Sequence, residues 1–213
     1  MAFVDRDLEY LEGLHAPMGP VLTEMLEVGR AEKIPILQAS SGRFLRTLIT
    51  ALKPKRVLEI GTAIGFSTLW MAANLPQGAR IDSIDPDRAR TDRARRYWMR
   101  AGVTDKIRVI NEPALRVIPR LAAGVEFAFI DAIKTEYAQY LDALLPKMAP
   151  GGVITVDNVL WSGRISGGDQ DADTAALRAF NEHFLHHEQL EATIVPVGDG
   201  LGLGVVRPHA EQV

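Results

Sequence analysis

Arg56-Val57-Leu58-Glu59-Ile60-Gly61-Thr62-Ala63-Ile64-Gly65-Phe66-Ser67 opens with a short apolar run, stops at a glycine and passes into a segment of helical length. The same pattern recurs downstream. Arg80-Ile81-Asp82-Ser83-Ile84 stops at Asp85, and Ile107-Arg108-Val109-Ile110 stops at Asn111. Glu126-Phe127-Ala128-Phe129-Ile130 ends at Asp131, and Val153-Ile154-Thr155-Val156 ends at Asp157. Such β-branched runs, apolar on both faces, read as buried parallel strands. Between them, 66–75, 86–101, 113–122 and 135–148 are predicted helices. Asp85 reads as an N-cap ahead of Pro86 at the first helical position, and Gly102 as the stop of that helix. Pro150-Gly151-Gly152 reads as the end of the last helix before the fifth strand. The alternation predicts an α/β fold built on a doubly wound, mostly parallel sheet.

The far end of the chain breaks the pattern. Ala192–Val197 and Leu201–Val206 are separated only by Gly198-Asp199-Gly200, a hairpin signal rather than a crossover. The sheet is therefore expected to hold seven strands and to finish with an antiparallel C-terminal strand. The first fifty residues read as mainly helical, with apolar positions at Leu8, Leu11 and Leu14 and then at Val21, Leu22, Met25 and Leu26. At 213 residues, with no repeat or linker, the expectation is one domain over 1–213 with a helical N-terminal segment over about 1–50.

Composition narrows the partners. Lys and Arg number 24 against 27 Asp and Glu, a net charge of −3, too near neutral for a nucleic-acid or membrane surface. Arg88, Arg90, Arg93, Arg95, Arg96 and Arg100 do crowd one helix, but Asp87 and Asp92 lie among them, so a solvated face is expected there. The absence of cysteine excludes disulfides, thiolate metal sites and cysteine nucleophiles. The opening residues lack the basic-then-apolar order of a secretory signal, and no apolar run nears the roughly 18 residues of a membrane span, so a cytoplasmic location is expected.

In open α/β sheets ligands bind beyond the carboxyl ends of the strands, so the residues there carry the functional reading. Gly61 and Gly65 allow a sharp turn and close approach of the backbone to a ligand. The turn lacks the nicotinamide glycine fingerprint, since Ala63 replaces the middle glycine, and it lacks a phosphate-loop ending. Asp131 closes the fourth strand and Asp157-Asn158 the fifth, placing three oxygen donors on neighbouring loops. Hard oxygen ligands suit Mg²⁺ or Ca²⁺. Lys134, three residues beyond Asp131, is within reach of the same spot, and a lysine facing a cation and a desolvated substrate is suited to act as a base. Taken singly, each acid reads as a helix cap and the lysine as a surface charge; taken together at adjacent strand ends, they read as a cation site. His183, His186 and His187 gather on a late helix, where a transition-metal site would need a further ligand that is not nearby in sequence.

Val57 through Ser67, Phe129-Ile130-Asp131-Ala132-Ile133-Lys134 and Asp157-Asn158-Val159-Leu160-Trp161-Ser162-Gly163 together resemble the cation-dependent O-methyltransferases, which include the catechol and caffeoyl-coenzyme A enzymes and their small bacterial relatives. The resemblance runs from about Leu37 to Arg207. It implies S-adenosylmethionine as cofactor, with Glu59, Gly61, Thr62 and Ser67 around its methionine portion and Leu37 and Ala114 as further contacts. It implies Asp131, Asp157 and Asn158 as ligands of Mg²⁺ (or Ca²⁺ or Mn²⁺), Asp131 also bordering the cofactor, and Lys134 as general base. A small phenolic substrate would meet Lys134, Asn158, Trp161 and Ser162. Members of the family commonly form homodimers.

The chain departs from the family at several positions. Ile133 stands where many members carry Asp, Glu112-Pro113-Ala114 where they carry Gly-Asp-Ala, and Ser162 where the plant enzymes place an asparagine at substrate. Ser83 stands where an acid usually accepts the ribose hydroxyls, and Asp85 is the expected substitute. Losing a charge-assisted bond there would weaken cofactor binding by roughly ten- to a hundredfold. Two rival readings remain at this stage, a nucleic-acid methyltransferase and a non-catalytic binding protein that keeps the fold. A nicotinamide dehydrogenase is disfavoured by the glycine spacing.

Overall fold

The computed structural model describes residues 5–208; the Leu8 side chain lies outside what it describes. Three helices lead in, α1 (Asp5–Leu14), α2 (Pro20–Ala31) and α3 (Ala39–Leu52). The repeating part follows as β1 (Arg56–Ile60), α4 (Phe66–Ala72), β2 (Arg80–Ile84), α5 (Arg88–Arg100), β3 (Ile107–Ile110), α6 (Ala114–Val117), β4 (Val125–Ile130), α7 (Tyr137–Leu144) and β5 (Met148–Val156). The chain ends in α8 (Ala172–Leu185), β6 (Leu190–Val195) and β7 (Leu201–Val206).

The sheet order is β3-β2-β1-β4-β5-β7-β6. β1 to β5 are parallel, and β7 runs antiparallel to both β5 and β6. From β1 the chain builds outward to β3, then returns to start again at β4 on the other side. The crevice between the carboxyl ends of β1 and β4 is thus the switch point where such sheets take ligands.

Alternation along the strands separates two cores. Leu58, Ile60, Ala128, Ile130, Ile154 and Val156 face α7 and α8, meeting Tyr137, Leu141, Phe180 and Phe184. Val57, Ile81, Phe127, Phe129 and Val153 face the other way, onto α2 to α5, meeting Met25, Leu45, Trp70 and Trp98. Each fully buried side chain of this kind contributes about 1.5–3 kcal/mol. By the same alternation Glu59, between Leu58 and Ile60, points toward α4.

Several boundaries differ from those expected. The helix after β2 is capped by Asp87, whose side chain accepts from Arg90 N, not by Asp85. β5 starts at Met148 and runs through Pro150-Gly151-Gly152, which the sequence marks as a break; β4 and β5 tolerate this through an irregularity in register before Phe127. α6 is four residues long, continued by a 3₁₀ turn at Ile118–Arg120 that carries Pro119. Most arginines of α5 pair with acids, among them Arg93 with Glu32 at the end of α2 and Arg100 with Glu24 on α2, so this face ties α5 to the rest of the fold. No described helix is long and apolar enough to cross a membrane.

Candidate active site

The five parallel strands end in step. Ile84 is level with Ile110, Ile60 with Ile84 and with Ile130, and Ile130 with Val156. The residue after four of the five extends the ladder by one bond: Asp85 N to Ile110 O, Gly61 N to Ile84 O, Asp131 N to Ile60 O at 2.8 Å, and Asp157 N to Ile130 O at 2.9 Å. Sheet register alone therefore puts Asp85, Gly61, Asp131 and Asp157 in one row along the carboxyl edge.

Gly61 sits at the centre of that row with φ +96, a region that L side chains rarely adopt. A Cβ there would stand 1.8 Å from the Asp131 carbonyl oxygen, so only glycine lets the loops after β1 and β4 come this close. Ala63 also has a positive φ, of 45. Thr62 N and Ala63 N both donate to Asp85 Oδ2, at 3.1 and 2.8 Å, and Asp87 N donates to Asp85 Oδ1. Asp85 thus clamps the turn from the neighbouring strand end.

Beneath the turn lies a closed polar network. Glu59 is fully buried; its carboxylate accepts from Ser67 Oγ at 2.6 Å, from Thr68 Oγ1 and from Ser83 Oγ at 2.5 Å. Ser83 has one proton and gives it to Glu59, so the 2.6 Å contact between Thr62 Oγ1 and Ser83 Oγ is donated by Thr62. This corrects the expected role of Ser83. It is fully buried behind Glu59, its hydroxyl is spent, and it supports the turn rather than facing a ribose. The predicted loss of cofactor affinity from serine at 83 has no structural basis, because the acid at the strand edge is Asp85.

Burial pushes the Glu59 carboxyl up to about 7, with the Asp131 charge adding to the rise and the hydroxyl bonds of Ser67, Ser83 and Thr68 opposing it. A folded value above the unfolded 4.5 means that Glu59 favours the fold most at low pH and that this contribution is lost as pH rises through about 7. Glu59→Gln is expected to remove roughly 3 kcal/mol of this pH dependence, at about 1.4 kcal/mol per unit. Thermal melts of the two proteins between pH 5 and 8 check it: the wild type should lose stability relative to the variant as pH rises, and parallel curves would refute the account.

Across the row, Lys134 Nζ donates to Asp131 Oδ1 at 2.7 Å, to Asn158 Oδ1 at 2.7 Å and to Tyr137 Oη at 2.6 Å. The ammonium also lies 4.9 Å from the Tyr137 ring centre and 5.6 Å from that of Trp161. Tyr137 Oη in turn donates to the Asp157 carbonyl. Asp157 is 2% exposed, and its Oδ1 is buried with no hydrogen-bond partner. Burial first, and the Asp131 charge second, push the Asp157 carboxyl well above the usual carboxylate range, with Lys134 acting against the rise. The expected cation ligands and the expected base are therefore brought into one cluster, with the lysine's own positive charge at its centre.

Two members of the cluster are not evident from the sequence. Tyr137 reads as a core aromatic; the signal for its role is its place three residues after Lys134, at the start of a helix. Asp199 reads as a turn residue. Its Oδ2 accepts from Asn158 Nδ2 at 3.3 Å, and its Oδ1 accepts from Ser162 N. With Lys134 needing an acceptor on one side and Asp199 needing a donor on the other, the Asn158 amide has one orientation, Oδ1 toward the lysine. Register explains the meeting: Val156 is level with Gly202, so the turn before β7 lies against residues 158–160, and Leu160 N donates to Asp199 O. Asn158, Trp161 and Ser162 all have positive φ, of 62, 49 and 52, a concentration of backbone strain typical of functional loops.

The remaining expected residues lie at the margins. Leu37 is 2% exposed and belongs to the core on the α2–α5 side, bordering a groove of about 530 Å³ with Met18, Leu26 and Gln38. Ala114 begins α6 after β3 and is 7% exposed, while Ser162 is exposed. A cleft of about 250 Å³ at the opposite end of the strands, lined by Lys55, Arg56, Arg80 and Asp82, contains none of the expected residues.

Comparison with known proteins agrees with this geometry. A family model described as O-methyltransferase matches residues 15–207. A catechol O-methyltransferase of Mycobacterium tuberculosis is 36% identical over 196 residues, covering 88% of this chain and 89% of the relative. A probable caffeoyl-CoA O-methyltransferase of Dictyostelium discoideum is 32% identical over 177 residues, covering 80% of this chain and 77% of the relative. Among solved structures, cofactor-bound Rv0187 from MTB superposes with a TM-score of 0.87 at 32% identity, covering 98% of this chain and 100% of that one. An O-methyltransferase from Bacillus cereus in complex with SAH gives 0.84 at 28% identity, covering 93% of this chain and 96% of that one. Matched along almost its whole length, the chain belongs to the O-methyltransferase family.

Proposed function

We propose that this O-methyltransferase moves a methyl group from S-adenosylmethionine to a hydroxyl of a catechol-like phenol, with a hard divalent cation held by Asp131, Asp157 and Asn158. The observation that carries this reading is the convergence of Asp131 Oδ1 and Asn158 Oδ1 on one positive charge, beside a buried Asp157 oxygen that has no partner. A buried carboxylate acceptor left unpaired costs about 1–3 kcal/mol or more, and a cation in the cluster would satisfy it. The donors are all oxygens, which favours Mg²⁺, with Ca²⁺ or Mn²⁺ as substitutes. The names of the Mycobacterium tuberculosis relative and the SAH-bound structure support the substrate class and the cofactor.

When bound, the cofactor supplies an electrophilic methyl on a sulfonium, and the cation lowers the proton affinity of a phenol whose free pKa is about 10. The chain's own residues do the rest. The clamped turn from Gly61 to Ser67 lets the backbone approach the methionine portion, with Leu37, Asp85 and Ala114 at its borders. With a cation on Asp131 and Asn158, Lys134 Nζ would give up the contacts it now makes there and release one of its own protons to solvent; the neutral amine, held by Tyr137, would then take the phenolic proton. Trp161, beside Nζ, gives a flat substrate ring one wall. Exposed Tyr10, Leu11 and Leu14 on α1 support the homodimer that the family commonly forms.

The test is a methyl-transfer panel of catechols and matched single-hydroxyl phenols, with products read by mass spectrometry and NMR. Catechols are expected to turn over at least about a hundredfold faster, since only a vicinal diol chelates through both oxygens, a gain of about 3 kcal/mol. Equal rates across the panel, or salt-sensitive methylation of RNA instead, would overturn the proposal.

A further inference from the structure

A second cluster lies away from the strand ends, on the outer face of α7 and α8. His183, near the end of α8, and His187, just past it, bring their rings to 5.2 Å at an interplanar angle of 78°. Asp142 of α7 faces them, with its Oδ1 2.8 Å from His183 Nε2. One potential ligand atom from each of the three lies within 4.8 Å of the other two, and it is the one such cluster of His and acidic groups among the described residues. The sequence places the histidines but not the third ligand, which comes from another helix 41 residues away. His186 stays outside the cluster, its Nδ1 turned to the Glu182 carbonyl at 2.9 Å.

We propose that Asp142, His183 and His187 form a surface site for a borderline divalent transition metal, Zn²⁺ or, in its place, Co²⁺ or Ni²⁺, which clips α7 to α8. Two imidazoles and one carboxylate are the donor set such ions take, at about 2.0–2.2 Å, with water filling the remaining position. His183 and Asp142 are 39% and 60% exposed at their side chains, so both can rotate the short distance that closes the site. Binding replaces the proton now shared between His183 and Asp142. It also costs the 3.2 Å bond from Gln189 N to His187 Nδ1, whichever ring nitrogen ligates, because a metal-bound imidazole has no free lone pair left there. That is a single exposed hydrogen bond, against two new metal–nitrogen bonds. All-oxygen clusters prefer Mg²⁺ and imidazole clusters prefer Zn²⁺, so this site and the strand-end cluster sort different ions.

The clip has a mechanical consequence. Phe180 of α8 packs edge-on against Tyr137 of α7 at 5.4 Å, and Tyr137 holds Lys134. A metal joining the same two helices further along stiffens the pair that backs the lysine.

The test uses the full chain, freed of metal by a chelator and then supplied with excess Mg²⁺ to saturate any oxygen site. Co²⁺ is titrated with visible absorption, and Zn²⁺ with calorimetry and thermal melting. The expected result is saturation at one equivalent, with a tetrahedral cobalt spectrum and a raised unfolding temperature, both retained in Asp157→Ala. His183→Gln and His187→Gln are each expected to weaken binding at least about tenfold and Asp142→Asn to weaken it measurably, while His186→Gln leaves it unchanged. All four positions lie on the helix surface or just beyond it, and melts without metal check that the variants fold. Binding unaffected by the paired His183→Gln/His187→Gln change, or lost in Asp157→Ala, would show that the ion sits elsewhere and overturn the proposal; so would no binding at all.

Discussion

Replacing Asp157 by alanine is expected to cut cation-supported methyl transfer by about a thousandfold or more, equivalent to about 4 kcal/mol of transition-state stabilisation. The carboxylate is fixed by its strand: Asp157 N bonds Ile130 O, and the side chain is 2% exposed among α7 and the loop after β5. No neighbouring group can substitute, because Asp131 already contacts Lys134 and Asp199 is engaged by Asn158 and Ser162. The same substitution should not lower the unfolding temperature of the cation-free protein. There, a buried oxygen without a partner beside a second carboxylate works against folding, and alanine removes it. Initial rates and melts on one preparation separate the two effects. Turnover within tenfold of wild type would contradict the assignment, and a collapsed fold would mean that Asp157 is structural.

Gly61→Ala is the second large effect, and it acts on the fold as well as on the site. The new Cβ would meet the Asp131 carbonyl at 1.8 Å, a backbone atom that no side-chain rotation relieves, and φ +96 adds its own strain. A loss of about 3–5 kcal/mol is expected, lowering the unfolding temperature by roughly 10 °C, together with displacement of Asp131. Gly78→Ala is the matched control: its φ is +76 and nothing lies within 4 Å of the added Cβ, so only the backbone term of about 1 kcal/mol remains. Calorimetric melts of both variants check the difference. If the two lose the same stability, the close approach of the β1 and β4 loops is not what glycine is needed for.

The strands were legible because each short apolar run stops at a glycine, acid or amide, and those stops are the functional row. Ile60, Ile84, Ile110, Ile130 and Val156 end level, so reading strand ends was also reading the site. Boundaries misread were those where tertiary pairing overrides a local signal. Met148–Val156 continues through two glycines and a proline because β4 pairs with it on either side of an irregularity. Ser83, and Asp85 as a helix cap, were misread for a different reason. Both lie near the end of β2, and only the register shows that Ser83 pairs with Glu59 inside the sheet while Asp85 reaches past it to the turn. Asp199 could not be placed from sequence at all, since its partners Asn158 and Ser162 lie 41 and 37 residues away and meet it only through the antiparallel β7.

The central claim is that the oxygen cluster of Asp131, Asp157 and Asn158 serves methyl transfer by holding a divalent cation. The most direct measurement is the initial rate of methyl transfer to a catechol by the wild-type protein in excess EDTA, and again after Mg²⁺ is restored above the chelator. The account predicts a fall of at least about a hundredfold in EDTA and full recovery with Mg²⁺. An undiminished rate in EDTA would contradict it.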